Sequence, residues 1–216
     1  MSATAIPLGG GKFDAAVHIP RRPRGIVVFV HGSGVDRHDP RDRYVAGKLG
    51  QAGFATLQPE LLDAWQARDP ANACDVGLQC TRLLQALRWL DEAAWAKALP
   101  VGFFGGGIGA GVALLAAAKR PDRLAAVVCR GGRPDSALFW LARVKAATLL
   151  LVEHNDWPYR RVYENLPAPK ELAVVPSESG LFFEPEALEA VAQHAGRWFS
   201  THLARQSSAA PRRHGG

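Results

Sequence analysis

The chain is 216 residues long, 48% hydrophobic and 21% charged, the balance of an ordinary soluble domain, and its length permits one domain or two small ones. Its formal charge of +6 reflects 26 Lys and Arg against 20 Asp and Glu, but Arg205, Arg212 and Arg213 place three of those charges in a polar tail. The other tight basic cluster is Arg21, Arg22 and Arg24, and with no recognisable nucleic-acid module beside it no nucleic-acid partner is expected.

In chain order, the segments around Ile6 and over residues 13–19 predict an antiparallel hairpin at a sheet edge. Beyond them, apolar runs of strand length alternate with amphipathic helical patterns, the signature of βαβ units closing a mostly parallel sheet. The predicted strands cover residues 26–30, 54–57, 101–104, 124–129, 147–152 and 172–175. Their apolarity is continuous rather than alternating, which fits strands covered by helices on both faces. Cys80, Leu83, Leu84 and Leu87 repeat at i, i+3, i+4 and i+7 and define one helix facing the sheet. The Gly/Ala-rich run over residues 108–118 predicts a helix able to pack closely on strands. Glu184 and Pro185 open a last helix, with proline at a permitted first position and a stripe of Leu188, Val191, Ala192, Ala195, Trp198 and Phe199.

No internal repeat or linker interrupts this pattern, so one domain over residues 1–205 is expected. The tail over residues 206–216 holds too little apolar surface to fold. No apolar run is long enough to span a bilayer, and the N-terminus lacks both a charged region leading into an apolar stretch and a small-residue cleavage site. A cytoplasmic protein with no membrane partner is expected; the oligomeric state stays open. Cys74, Cys80 and Cys129 are odd in number, contain no C-x-x-C pair and have no His at metal-ligand spacing, so buried thiols are expected rather than a disulfide scaffold or a metal site.

Five stretches carry chemistry: HGSGVDRHDP at residues 31–40, GGGIG at 105–109, CRGGRPD at 129–135, VEHND at 152–156 and VPSESGLFFEP at 175–185. In this order they resemble the dienelactone hydrolase-like branch of the α/β-hydrolase superfamily, over roughly residues 5 to 203. The resemblance implies a single α/β-hydrolase domain, a mostly parallel central sheet with helices on both faces, and a pocket at the carboxyl ends of the strands. It gives Asp156 the role of the acid that orients the base. It also puts Gly107 where the nucleophile of G-x-S-x-G stands, and Gly180 where the His base stands. Two of three triad members are therefore glycine. The backbone N–H groups near Ser33 and Gly34 and at Ile108 match the oxyanion hole, which requires no side chain.

Loss of either nucleophile or base costs a serine protease on the order of a million-fold in turnover, so the expectation is a hydrolase-shaped protein with little or no ester hydrolysis. A glycine turn opening a helix favours anions, and Arg37, His38, Arg130 and Arg133 are candidates to line the pocket of a small, anionic ligand. The alternative is a hydrolase of a small ester, lactone or thioester with a relocated nucleophile. Cys129 is the main candidate, beside Ser33, Ser177 and Ser179, with His31, His38 or His154 as base. Against these stand plainer readings: Cys129 as an inert buried thiol, Asp156 as a helix cap, His31 and Ser33 as turn residues, Arg130 and Arg133 as surface or ion-pair residues, and Trp140 and Trp157 as packing. The glycines also fit G-x-G-x-x-G/A of dinucleotide-binding folds, but Cys129 and Arg130 stand where an acidic residue should end the next strand, so no cofactor is expected.

Overall fold

The computed structural model describes residues 2–8, 10–31, 39–153, 157–167, 169–179 and 182–207. Two edge strands, β1 (Ser2–Leu8) and β2 (Gly11–His18), form the hairpin, and β3 (Ile26–Val30) follows. Helix α1 (Pro40–Gln51) leads to β4 (Ala55–Pro59), then a single 3-10 turn (Gln66–Arg68), the short α2 (Pro70–Cys74) and α3 (Val76–Glu92). The second half runs β5 (Val101–Gly106), α4 (Ile108–Lys119), β6 (Leu124–Arg130), a 3-10 segment (Pro134–Arg143), β7 (Ala147–Val152), α5 (Trp157–Asn165), β8 (Lys170–Val174) and α6 (Pro185–Ser207).

The eight strands form one sheet in the order β1-β2-β4-β3-β5-β6-β7-β8. The β1–β2 and β2–β4 pairs are antiparallel and every pair from β4 through β3 to β8 is parallel. Strands β3 to β7 are buried at every residue because helices cover both faces, which is why their sequences run apolar without alternation. Alternation persists as a division between two cores. Val28, Phe103, Val127 and Leu150 pack with Leu83 and Leu87 of α3 and with α4 on one face. Val27, Phe29, Phe104, Val128 and Leu151 pack with Val45 and Leu49 of α1 and Val191 and Phe199 of α6 on the other.

Several elements differ from the sequence expectation. Strands β3 and β7 have the expected bounds, whereas β4, β5 and β6 run a residue or two longer at their C-terminal ends than their apolar cores, and β8 starts two residues earlier, at the edge where its residues are only partly covered. Helix α1 carries a start signal, since Asp39 precedes Pro40 and its carboxylate accepts the Arg41 backbone N–H at 2.7 Å; its mean hydropathy is too polar for periodicity alone to reveal it. Cys74 is exposed, correcting the expectation of three buried thiols, because the short α2 lies in the surface connection from β4 to α3. Helix α6 extends through Ser207, two residues into the segment expected to be tail, since each added helical residue gains one backbone hydrogen bond at little nucleation cost. Residues 208–216 lie outside the described residues. No described helix is long and apolar enough to cross a membrane.

Candidate functional site

The turn from β5 to α4 forms the centre of the carboxyl rim. Gly107 caps α4 with φ 59° and ψ −129° and no side-chain cap, a conformation that a side chain occupies only under strain. Its carbonyl accepts the Arg133 backbone N–H at 2.9 Å. Gly132, at φ +79°, lies so close that a Cβ there would stand 2.5 Å from the Gly107 Cα. The loop after β6 therefore rests directly on the turn, and Tyr159 of α5 holds that loop in turn by donating its hydroxyl to the Gly132 carbonyl at 3.2 Å. Ile108, the first residue of α4, is among the first backbone donors of the helix, which have no intrahelical partner.

A second loop meets the first from the α6 side. Ser177 donates its hydroxyl to Glu184 at 2.8 Å and the Ser179 backbone N–H reaches the other carboxylate oxygen at 2.6 Å. The Glu184 carboxyl is held at about 2, first by its own backbone N–H and then by these two serines. Ser177 and Ser179 thus pin the loop. Phe182 takes φ 56°, rare for an aromatic residue, and buries its ring so that a Cβ on Gly131 would come within 3.2 Å of it. Phe183 lies under the Arg41 guanidinium at 4.3 Å.

Beside the turn stands a buried ionic cluster. Register pairs Val30 with Gly105 and Gly106 with Arg130, so His31, Gly106 and Arg130 stand in one row across β3, β5 and β6, on the face of α1 and α6. Because Gly106 has no side chain, the Arg130 guanidinium lies across it, with Nη2 at 2.9 Å from where a Cβ would be, and over Phe104 at 5.8 Å. Asp42, in the first turn of α1, bridges the row: His31 Nδ1 donates to its Oδ2 at 2.9 Å and Arg130 Nη1 stands 3.0 Å from its Oδ1. All three side chains are at least nine-tenths buried. Asp39 is clasped by Arg41 in the same place. Burial raises the Asp39 pKa, but the hydrogen bonds and charge of Arg41 and the charge of Arg130 outweigh that and hold it below the usual carboxylate range.

Of the residues singled out in the sequence, His31, Gly107, Ile108, Cys129, Arg130, Arg133, Trp140, Ser177 and Ser179 are described. Arg130 is not a surface charge but a core one. Arg133 is exposed and pairs with Asp135 at 3.0 Å, which lifts its guanidinium pKa further. Cys129 faces the opposite core, its Sγ 3.9 Å from the Ala110 carbonyl; burial pushes the thiol up to about 12, so thiolate is scarce. Ser33, Gly34, Arg37, His38, His154, Asp156 and Gly180 lie outside the described residues. Sequence reasoning missed Asp42 altogether. Its signal was present, because a helix opening at Pro40 puts Asp42 in the first turn, beside the end of β3. Among the described residues no group of three or more His, Cys, Asp and Glu is placed to hold a metal ion.

Parallel strands with helices on both faces, and a sharp strand-to-helix turn at the carboxyl rim, define an α/β-hydrolase fold. The dienelactone hydrolase family profile matches residues 13–161, and the chain belongs to that family. It is 43% identical to a dienelactone hydrolase from Anabaena variabilis of known crystal structure, covering 94% of this chain and 97% of that one with a TM-score of 0.88. Est1E from Butyrivibrio proteoclasticus, 14% identical with a TM-score of 0.76, shares the fold. A Mycobacterium tuberculosis protein carrying a provisional phosphoribosyl transferase name is 47% identical over 199 residues, 89% of this chain but 45% of that protein. The chain thus spans less than half the length of that relative.

Proposed function

We propose that this chain is a dienelactone hydrolase-family protein that has lost acyl-enzyme catalysis and uses the strand-end pocket to bind a small, anionic ligand. The observation that carries this reading is Gly107. The turn keeps φ 59° and ψ −129°, the backbone that would present a nucleophile, with no side chain on it. The cost of that conformation to a non-glycine residue is of order 1–3 kcal/mol, which a hydrolase bears for reactivity and which glycine removes. An uncapped N-terminus of a 12-residue helix supports the anionic choice, since its donors and dipole favour negative charge.

The relocated-nucleophile alternative is disfavoured by chemistry. A thiol at about 12 has almost no thiolate at neutral pH, and the Ser177 hydroxyl is committed to Glu184, with the Ser179 hydroxyl beside it at 3.3 Å. We further assign the transferase name of the mycobacterial relative to the portion of that protein which this chain does not match, because the matched stretch belongs to the dienelactone hydrolase family.

The test compares the unaltered chain with Gly107→Ser combined with Gly180→His on p-nitrophenyl acetate and a small lactone. Turnover only by the double variant is the expected result. Turnover by the unaltered chain, inhibited by an active-site phosphonate, overturns the reading.

A further inference from the structure

The strands from β4 through β3 to β8 are parallel, so the connections that lead into them gather at one end of the sheet, opposite the turn at Gly107. Residues 19–25, 93–100, 119–123 and 143–146 lead into β3, β5, β6 and β7. They hold nine Lys and Arg against one acidic residue, Asp122. Three of the nine are engaged, Arg120 and Arg123 with Asp91 at the end of α3 and Lys145 with Asp122. Arg24 lies over Phe54 at 5.5 Å and Arg143 over Trp140 at 5.6 Å. Arg21, Arg22, Lys97 and Lys119 are exposed and form no ion pair with a described residue. Apolar groups stand among these cations. Ile19 is exposed two residues before Arg21, and Phe139, 97% exposed, lies with Trp140 in the second half of the 3-10 segment that runs from the rim down to β7. One exposed hydrophobic residue is ordinary, but apolar tips set beside unpaired cations at one end of a molecule mark a contact surface.

We propose that this end of the sheet docks on an anionic lipid surface, with Phe139, Trp140 and Ile19 entering the interface of a phospholipid bilayer and the unpaired Arg and Lys meeting its phosphates. The charges are complementary. Each cation held close to such a surface strengthens partition about fivefold, an effect that decays within about 10 Å at moderate ionic strength. Apolar side chains beside Arg and Lys suit a partner with phosphate outermost and hydrocarbon just beneath it, and an indole under a guanidinium, as in Trp140 and Arg143, is at home at headgroup level. A polynucleotide also attracts cations, but it offers bases that stack on aromatic planes and nothing that buries the aliphatic side chain of Ile19. Surface docking needs no spanning helix, so the expectation of no membrane partner, which rested on the lack of one, does not bear on it. In this orientation the turn at Gly107, at the far end of the strands, faces solution. Docking is independent of whether that turn binds or hydrolyses a ligand.

The experiment is co-sedimentation of the full chain with vesicles of phosphatidylcholine alone and of equal parts phosphatidylcholine and phosphatidylglycerol, at low and at high salt. The chain should pellet with the anionic vesicles only, and its partition should fall about tenfold or more at high salt. Arg22→Glu combined with Lys119→Glu should lower partition at low salt by about twentyfold or more. Arg43→Glu combined with Arg68→Glu changes the net charge equally, at exposed positions toward the other end of the strands, and should lower partition less than about threefold. Phe139→Ser should lower it about tenfold and leave its salt dependence unchanged. No partition at low salt, equal partition on neutral vesicles, equal losses from the two double variants, or no loss from Phe139→Ser overturns the proposal. Binding of a labelled single-stranded oligonucleotide without vesicle partition, lost in Arg22→Glu with Lys119→Glu, overturns it and assigns the face to nucleic acid. The vesicle and salt comparisons are read on the unaltered chain, and every substituted side chain is exposed.

Discussion

At the turn after β5 the chain presents only backbone, whereas beside it are buried an imidazole from the end of β3, a guanidinium from β6 and a carboxylate from α1. The two regions share a rim but are built in opposite ways. The turn at Gly107 is kept by close backbone packing, with Gly132 seated on it and the Arg133 N–H bound to its carbonyl. The cluster is kept by charge, with Asp42 drawing β3, β6 and α1 together. The contrast is between a turn whose shape rests on backbone packing alone and a cluster whose members cannot be removed singly, since each leaves an uncompensated buried charge behind.

The sharpest contrast to break is in thiol chemistry. Raising Cys129 from 9.0 to about 12 lowers its thiolate fraction about a thousandfold, before burial limits access. Mass spectrometry after brief iodoacetamide treatment of the native chain should find the exposed Cys74 modified, and Cys129 and Cys80 only after denaturation. Fast labelling of Cys129 in the native state would place a reactive group beside the turn after all. Next in size, Arg130→Ala should destabilise by about 3–5 kcal/mol in urea unfolding, as expected for one partner of a buried pair. Arg133→Ala, two turn glycines further along but exposed, should cost less than about 1 kcal/mol. Equal losses would mean that the cluster is not what joins α1 to the sheet.

Smaller effects separate glycine kept for packing from glycine that is incidental. A Cβ on Gly132 would lie 2.1 Å from the Gly107 carbonyl oxygen at a positive φ. Gly132→Ala should therefore cost more than about 2 kcal/mol, of which the backbone conformation alone supplies about 1–2. Gly196, in α6 with no atom within 4 Å of its Cβ position, should tolerate Gly196→Ala with a gain of about 0.5–1 kcal/mol. Both are read from denaturation midpoints.

Much of the fold was legible because the interior strands are doubly covered and their apolar runs stand out from the helices between them. The edge strand β8 was read late because half-covered residues weaken the run, and α1 was missed because its polar sequence shows itself in a cap rather than in a stripe. The turn at Gly107 was legible as a local motif. The ionic cluster was not, although His31 and Arg130 had been noticed separately. They become neighbours only through the register of β3, β5 and β6, across a glycine whose missing side chain makes room. Asp42 joins them from a helix that periodicity did not reveal.

The central claim, that no covalent acyl-enzyme route remains, is tested most directly by exposing the unaltered chain to a fluorophosphonate and weighing the intact protein. The account predicts an unchanged mass and a stoichiometric adduct at residue 107 only in the chain carrying Gly107→Ser with Gly180→His. A single adduct on the unaltered chain, mapped to one residue at the strand-end rim, would contradict it.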